Sequence, residues 1–388
     1  VRKSPEWSYG MSSDAYDLAI SADGEYIVVG DTASNVYFFH KDSSSYLWSY
    51  VASDDIHSLS ISSNGSYIVA GTDDGNIYLL KKSGSLIWSY DTEERVTSLD
   101  ISASGEYIVA GGQSEKVYLF GKDSSTPLWS YDAGGNTYVS ISADGKYIVA
   151  GTSDSKIYLF SKDSSIPLWN YGVNSSVRAI AISADGEYIA AGEYNSNKVY
   201  LFDKDSSTPL RTYSIGNLVQ AVAISADGEY ITAGTYGGEI NLFDKDNSTP
   251  IWSYNAEDQV FSVAISADGE YIVAGSEDKK IYLFGKESNN SIWTYKSGGQ
   301  VYTVSISADG KYLSAAGGSP TDKLYVFQND PISRPSVIPY GPRSNSTTLN
   351  DTTLGWFPGS DDIANLTFDV YMSFIYNDVA TNNSAALI

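Results

Sequence analysis

Short apolar runs alternate with polar turns along the first 330 residues, and the whole pattern repeats. The segment 21–28, which reads SADGEYIV, returns seven more times with small changes, at intervals close to 41 residues. The eight copies begin at Ser21, Ser62, Ser102, Ser142, Ser183, Ser225, Ser266 and Ser307. Self-similarity at a fixed period of this length is typical of a protein built from identical structural units.

Each repeat predicts four short β-strands. The first, for example Val260–Ile265, alternates apolar and small residues and ends at a Ser-Ala-Asp-Gly turn, where glycine supplies the positive φ of a tight hairpin. The second is an unbroken apolar run, which suits a strand covered on both faces. Ile157–Phe160 represents the third strand and Leu128–Tyr131 the fourth, with a polar Lys-Asp-Ser-Ser connection between strands of these two types. The period leaves no room for a helix, which excludes parallel βαβ architectures.

The two ends of the array complete each other. A Trp-Ser-Tyr strand occurs at Trp7, before the first complete repeat, whereas the last repeat has its first three strands and lacks the fourth. We therefore predict an all-β, eight-bladed β-propeller of four-stranded antiparallel blades, closed by pairing of residues 6–9 with residues 324–327. In the sixth of these Trp strands, counted from Trp7, Arg211 replaces the tryptophan.

Composition changes after this array, which we assign to a propeller domain of residues 1–330. Residues 331–344 carry four prolines and predict an extended linker. Residues 345–388 resemble the second and third strands of a fibronectin type III-like β-sandwich, with a tryptophan in one strand and a tyrosine in the next. Only part of such a sandwich fits before Ile388, so either the chain continues or another subunit completes the domain.

The stretch of residues 260–284 closely follows the repeat of WD-repeat propellers, and this resemblance covers residues 1 to about 328. Two hallmarks of that family are missing, because no Gly-His pair precedes the first strand and no Trp-Asp ends the third. The Leu-Trp-Ser-Tyr strand also resembles the repeat of pyrroloquinoline-quinone-type propellers, in which the tryptophan docks one blade on the next. Pro127, Pro167 and Pro250 stand where that family has glycine. The calcium ligands and base of a quinone site cannot be placed here, so we expect a propeller without a cofactor.

Charge and composition restrict the partners. The net charge of −23 and a pI near 4.3 argue against binding to nucleic acid or to an anionic membrane surface. No stretch has the apolar length of a membrane span, so we expect no membrane insertion in this segment. The absence of cysteine excludes disulfides, thiolate metal sites and thiol nucleophiles. A signal peptide removed before Val1 would explain why the sequence does not begin with methionine.

Eight Asn-X-Ser/Thr sequons point to an exported glycoprotein. They lie at Asn64, Asn174, Asn247, Asn289, Asn345, Asn350, Asn365 and Asn382. Most fall in predicted loops or linkers, where a glycan fits, and four crowd into the short C-terminal segment. We therefore predict that some of them are glycosylated.

The residue types required for catalysis are scarce. His40 ends a third strand and His57 begins a first strand, and neither has a second histidine or a Ser–Asp arrangement beside it, so we expect surface residues. Residues 73–76 carry two aspartates but lack the alternating ligands of a calcium loop, and we expect a hairpin turn. The sequence thus predicts no catalytic, cofactor-binding or metal site.

One position of the repeat varies where its neighbours hardly change. Five residues before each repeat serine stand Tyr16, His57, Thr97, Thr137, Arg178, Gln220, Phe261 and Tyr302. Such variation indicates that the side chain at this position is not required for packing between the units of a repeat protein. Four of these residues, Phe261, Tyr302, Tyr16 and His57, fall in the consecutive blades seven, eight, one and two. We predict that they form an aromatic arc at one rim of the channel for contact with a protein or glycan. Packing against the neighbouring blade is the alternative.

These features favour a non-catalytic extracellular module of a cell surface, which binds or assembles through one propeller face. A resemblance to archaeal and bacterial surface proteins with propellers and fibronectin-like domains implies the same, with surface proteins, glycans or further copies of the chain as partners. Two alternatives stay open. One is a quinoprotein-like oxidoreductase or a hydrolase with its site in the channel, and the other is an intracellular scaffold of the WD-repeat kind.

Overall fold

Every regular element within residues 3–329, the part of the chain that the computed structural model describes, is a β-strand. The strands form eight four-stranded antiparallel sheets, so the predicted architecture is confirmed. Blade 1 consists of β2 (Ala15–Ile20), β3 (Tyr26–Asp31), β4 (Asn35–His40) and β5 (Trp48–Val51). Blade 2 consists of β6 (Ile56–Ile61), β7 (Tyr67–Thr72), β8 (Asn76–Lys81) and β9 (Leu86–Asp91). Blade 3 consists of β10 (Val96–Ile101), β11 (Tyr107–Gly112), β12 (Lys116–Gly121) and β13 (Trp129–Asp132).

The next four blades repeat this order. Blade 4 consists of β14 (Thr137–Ile141), β15 (Tyr147–Thr152), β16 (Lys156–Ser161) and β17 (Trp169–Gly172). Blade 5 consists of β18 (Val177–Ile182), β19 (Tyr188–Glu193), β20 (Lys198–Asp203) and β21 (Arg211–Ser214). Blade 6 consists of β22 (Val219–Ile224), β23 (Tyr230–Thr235), β24 (Glu239–Asp244) and β25 (Pro250–Asn255). Blade 7 consists of β26 (Val260–Ile265), β27 (Tyr271–Ser276), β28 (Lys280–Gly285) and β29 (Ser288–Lys296).

Blade 8 joins the two ends of the array. It consists of β30 (Val301–Ile306), β31 (Tyr312–Gly317), β32 (Lys323–Gln328) and the N-terminal strand β1 (Trp7–Gly10). In the β1–β32 ladder, Trp7 lies opposite Val326 and Tyr9 lies opposite Leu324. The predicted closure is therefore confirmed. The first strands of neighbouring blades contact one another all round the ring, β30 and β2 included, which makes them the innermost strands.

Several predictions fall beyond this ring. The linker of residues 331–344, the half-sandwich of residues 345–388 and four of the sequons lie outside the described residues. Those sequons are Asn345, Asn350, Asn365 and Asn382. All of these stay predictions.

Adjacent blades approach closely where a glycine near the end of the second strand meets a β-branched residue of the next innermost strand. At Gly71, an added Cβ would lie 2.6 Å from Val96 Cγ1, and five other valine or isoleucine contacts of this kind recur around the ring. At the seam, Ala316 takes the glycine position, and its core neighbours include Ala15 in place of a β-branched residue. The larger side chain of Ala316 is thus balanced by the smaller side chain of Ala15.

The hairpin turns form a second ring of contacts at the opposite end of the innermost strands. A backbone N–H of each turn donates to a carbonyl of the next, and across the seam Ala308 N–H donates to Ala22 O at 2.9 Å. The turn glycine has a packing role as well as a positive φ, because a Cβ at Gly65 would lie 2.7 Å from the Tyr26 ring of the preceding blade. The same glycine–tyrosine contact occurs at all eight turns.

The polar connections between the third and fourth strands also join blades, which their turn-like composition does not indicate. The Trp48 indole N–H donates to Lys82 O of the next blade at 2.8 Å, while the Lys82 ammonium lies 3.7 Å from the centroid of the Tyr26 ring. In blade 5 the guanidinium of Arg211 reaches Asp246 O in the corresponding connection, at 3.1 Å. Arginine therefore replaces the function of the tryptophan N–H.

Candidate functional site

The variable position of the repeat is a β-bulge. In seven of the eight innermost strands the ladder skips one residue, and the skipped residue is the variable one. These residues are Tyr16, His57, Thr97, Arg178, Gln220, Phe261 and Tyr302. A bulged residue has no partner in the ladder and its side chain is re-aimed, which explains why its identity is free to vary. The bulges all lie near the start of the innermost strands, at the end of the ring that we call the bulge face.

Blade 4 is the exception. There the residue that the sequence predicts at the variable position, Thr137, is not bulged. Its innermost strand has no bulge, and Thr137 pairs with Thr152 in the regular ladder. Thr137 is fully buried against Gly111, as Val177 is against Gly151, so it occupies the packing position rather than the variable one. The strand is one residue shorter than the others, and counting back from the repeat serine therefore misplaces this threonine.

The four residues of the predicted aromatic arc are in continuous contact. Phe261 meets Tyr302 edge to face with ring centroids 5.2 Å apart, Tyr302 stacks on Tyr16 at 6.0 Å, and Tyr16 lies 5.7 Å from the His57 ring. Tyr16 is 47% exposed and the other three are half-buried. The arc thus packs across blades and also presents an aromatic surface on the bulge face. Its role in partner contact stays a prediction.

Polar partners fix the two ends of the arc. The Tyr302 hydroxyl donates to Gln300 Oε1 at 2.7 Å, and Gln300 Nε2 donates to Glu277 Oε1 at 2.8 Å. At the other end, His57 Nδ1 lies 3.2 Å from an oxygen of Asp73, whose second oxygen holds Arg95. Burial lowers the pKa of His57 and Arg95 lowers it further, against the opposing effect of Asp73. The half-buried His57 is therefore uncharged at neutral pH.

Carboxylates gather beside Tyr302. Burial raises the pKa of the Tyr302 hydroxyl, and the nearby acids Asp14, Glu277 and Asp322 add to the effect. Gly318 separates the Asp14 carboxylate from the tyrosine, because an added Cβ there would lie 2.6 Å from Asp14 Oδ1 and 2.7 Å from Tyr302 Cε2. Aromatic faces and carboxylates thus share one part of the bulge face.

The opposite part of the bulge face has a different chemistry. Arg178 is exposed, and its guanidinium carbon lies 4.2 Å from the centroid of the Tyr194 ring. The bulged residues of blades 3 and 6 are Thr97 and Gln220. The bulged residues of blades 7, 8, 1 and 2 are therefore aromatic, whereas those of blades 3, 5 and 6 are polar or basic.

Two carboxylates of the innermost strands join neighbouring blades, and the sequence reading missed both. Asp17 accepts hydrogen bonds from Leu59 N–H of blade 2 at 2.7 Å and from the Thr303 hydroxyl of blade 8 at 3.3 Å. Asp100 of blade 3 accepts bonds from Ser60 and Ser140, at 3.1 Å each. Each of the two aspartates stands at a position where most repeats have alanine or serine. This departure from the repeat is the signal that could have revealed them.

Burial raises the pKa of Asp17 to about 7, against the hydrogen bonds that lower it. Between the ordinary pKa near 3.8 and about 7 the folded protein therefore binds a proton that the unfolded chain has released. The stabilisation that this bound proton provides is complete at low pH and is lost as the pH rises through the folded-state pKa of about 7. The unmodified chain loses this stabilisation as the pH rises, whereas Asp17→Asn does not titrate. We therefore expect the melting temperature of Asp17→Asn to rise relative to that of the unmodified chain between about pH 5 and about pH 8. A difference that is constant across this range would contradict the assignment.

The remaining candidates form a turn and local ion pairs in the part of the chain that is described. Residues 73–76 contain the β7–β8 turn, with Gly75 at a φ of 96°, as expected for a hairpin. His40 lies 3.3 Å from Glu25 and 3.4 Å from Asp42. Within residues 3–329, no three acidic or histidine side chains are grouped so as to hold a metal ion, and no helix there has the length and hydropathy to cross a membrane.

The four sequons of the propeller have accessible asparagines. Asn64, Asn174, Asn247 and Asn289 are all exposed. Asn174 lies on the bulge face, in the connection before blade 5, and none of the four belongs to the aromatic arc.

The chain forms a closed ring of eight blades that are joined through their innermost strands, with the variable side chains on one face. This arrangement defines a β-propeller repeat protein. Comparison with family models agrees with this class. The chain matches the family described as outer membrane protein assembly factor BamB over residues 73–295, and it belongs to that family. Residues 44–80 also match the WD domain, G-beta repeat. The expected resemblance to both kinds of propeller is thus confirmed, whereas no curated protein matches the chain.

Proposed function

We propose that the protein is a non-catalytic interaction or assembly module, displayed on a cell surface, that binds a partner protein through the bulge face. A propeller of this family fits a protein-interaction or assembly module, and assembly is named in the family description. The observation that carries the proposal is the aromatic arc, a continuous and partly exposed surface across four blades. Aromatic side chains are enriched among the residues that dominate binding energy in protein interfaces.

The contacts of the innermost strands favour binding over catalysis in this proposal. The two carboxylates of the innermost strands, Asp17 and Asp100, accept hydrogen bonds from backbone N–H groups and hydroxyls of the neighbouring blades. A general acid or base needs a free position beside its substrate. These carboxylates are therefore assigned to the joining of blades.

Site-specific photocrosslinking tests the binding face. A benzoylphenylalanine in place of Tyr16 is expected to capture one defined partner in cells that express the protein. The same probe in place of Ile166, which is 76% exposed at the opposite end of the ring, is expected to capture none. The purified partner should then lose affinity for Tyr16→Ala/Phe261→Ala and keep it for Leu128→Ala/Ile166→Ala. Capture only from Ile166, or retained affinity in the arc variant, would refute the proposed face.

The cell-surface location has its own test. The exposed sequons and the acidic, cysteine-free composition support an exported protein. We expect the intact mass of natively purified protein to exceed that of the polypeptide by whole glycans, and the excess to fall when Asn64, Asn174, Asn247 and Asn289 are each replaced by glutamine. A mass equal to the bare polypeptide would favour the intracellular scaffold.

A further inference from the structure

We propose that the aromatic arc binds a basic peptide segment of the partner, whose lysine or arginine side chains lie over the exposed rings and beside the neighbouring carboxylates. This inference rests on the proposed function and adds the chemistry of the ligand. It follows from three features of the bulge face: its acidic groups, its exposed aromatic surface and its length.

A group of acidic side chains lies at the Tyr302 end of the arc. Asp14, Glu277 and Asp322 all act on Tyr302, as the rise in its pKa indicates. Burial and the proximity of Asp14 raise the pKa of Asp322 as well, so these two carboxyl groups lie close together. Two neighbouring carboxylates repel each other, and a cation placed beside them removes that cost.

The nearby cations do not neutralise this group. Arg95 is committed to Asp73, and His57 is uncharged at neutral pH. Lys279 and Lys323 are exposed on the same blades, yet within residues 3–329 neither forms an ion pair with the three carboxylates. The site therefore keeps a negative potential that favours a positively charged ligand.

The aromatic surface suits the same ligand. A cation is attracted to the face of a tyrosine or phenylalanine ring when it lies within about 6 Å of the centroid. Tyr16 is nearly half exposed in the middle of the arc, between Tyr302 and His57. An arginine placed on it would gain from ring stacking and from the carboxylates together.

The length of the arc favours a peptide over a single small cation. Its rings follow one another at 5.2, 6.0 and 5.7 Å. Side chains on one side of an extended chain recur every two residues, which is about 7 Å. An extended segment with alternating basic residues thus places successive cations over successive parts of the arc.

Fluorescence anisotropy with labelled peptides tests the proposal. A (Gly-Arg)4 peptide is expected to bind saturably, more weakly at high salt, while (Gly-Gln)4 and (Gly-Glu)4 are not expected to bind. Tyr16→Leu/Phe261→Leu should weaken binding roughly tenfold, because the aromatic faces are lost. Asp14→Asn/Glu277→Gln should weaken it by a similar factor, because the shape is kept and two charges are removed. Melting temperatures confirm that each variant is folded.

Matched controls separate a site from general attraction to an acidic protein. Asp123→Asn/Asp163→Asn removes the same charge from the opposite end of the ring, and Tyr236→Leu removes an exposed aromatic residue of blade 6 on the bulge face. Both should bind as the unmodified chain does. Absence of saturable binding, or equal losses in the controls and the arc variants, would overturn the inference. If Tyr16 still captures a partner in that case, the proposed face stands and its ligand is not basic.

Discussion

Deleting residues 1–10 is expected to lower the melting temperature by at least about 10 °C, because the ring then loses its closing strand. The β1 strand supplies the fourth strand of blade 8 and contacts blade 1, where Trp7 packs on Phe39 with centroids 5.4 Å apart. Tyr9 packs on the same phenylalanine at 5.1 Å. Both aromatic side chains are partly buried against the core, so each contributes less than the roughly 1.5–3 kcal/mol of full burial, and the deletion also frees the edge of β32.

A shorter deletion provides the control. Removing residues 1–4 keeps Glu6, whose backbone N–H donates to Val326 O at 2.8 Å, and leaves β1 intact. Its melting temperature should match that of the full chain. If the longer deletion also melted like the full chain, the N-terminal strand would not be structural.

The second large effect is expected at Gly71. The variant Gly71→Ala should be destabilised by about 1–3 kcal/mol, because the added Cβ meets Val96 of the next blade in a close-packed interface. Val96→Ala alone should cost about 2 kcal/mol, since Val96 is 1% exposed and its removal leaves a cavity. Unfolding in denaturant gives both values.

The double variant Gly71→Ala/Val96→Ala distinguishes this contact from two independent defects. It rebuilds the alanine pair that the seam already contains at Ala316 and Ala15. We therefore expect its loss of stability to be smaller than the sum of the single losses by about 1 kcal/mol or more. Strict additivity would mean that the glycine does not set the distance between blades.

The architecture could be predicted from the sequence because each determinant is local and repeated eight times. The turn glycines fix the hairpins, the apolar runs fix the second strands, and the unmatched strand at Trp7 reveals the closure. The contact between Tyr26 and Gly65 of the next blade was not predictable in this way. It joins different repeats, and periodicity within one chain does not show which residues meet across a blade interface.

The site was predicted only in part. The variable position was identified, and four of its residues were placed in consecutive blades, but the bulge that exposes them is a property of the ladder. Thr137 shows the consequence, since one missing residue restores a regular strand and buries the side chain. The acidic group beside Tyr302 was missed because Asp14 and Asp322 are more than 300 residues apart in sequence and come together only across the seam.

The aromatic arc depends on the closure for the same reason. Phe261 and Tyr302 come from the last two blades, whereas Tyr16 and His57 come from the first two. An open array would separate these pairs by the length of the protein. Closure of the ring is therefore the central claim, from which both the proposed binding face and its ligand chemistry follow.

An engineered disulfide across the seam tests that claim most directly. Gly10 and Lys323 lie directly opposite each other in the β1–β32 ladder, and both are exposed. The chain has no cysteine of its own. After mild oxidation, Gly10→Cys/Lys323→Cys should form an intramolecular disulfide and melt at a higher temperature than its reduced form. Gly10→Cys/Lys116→Cys, with the second cysteine at the matching position of blade 3, should stay reduced as a monomer. A seam pair that stays reduced, or that links only separate molecules, would contradict the closed ring.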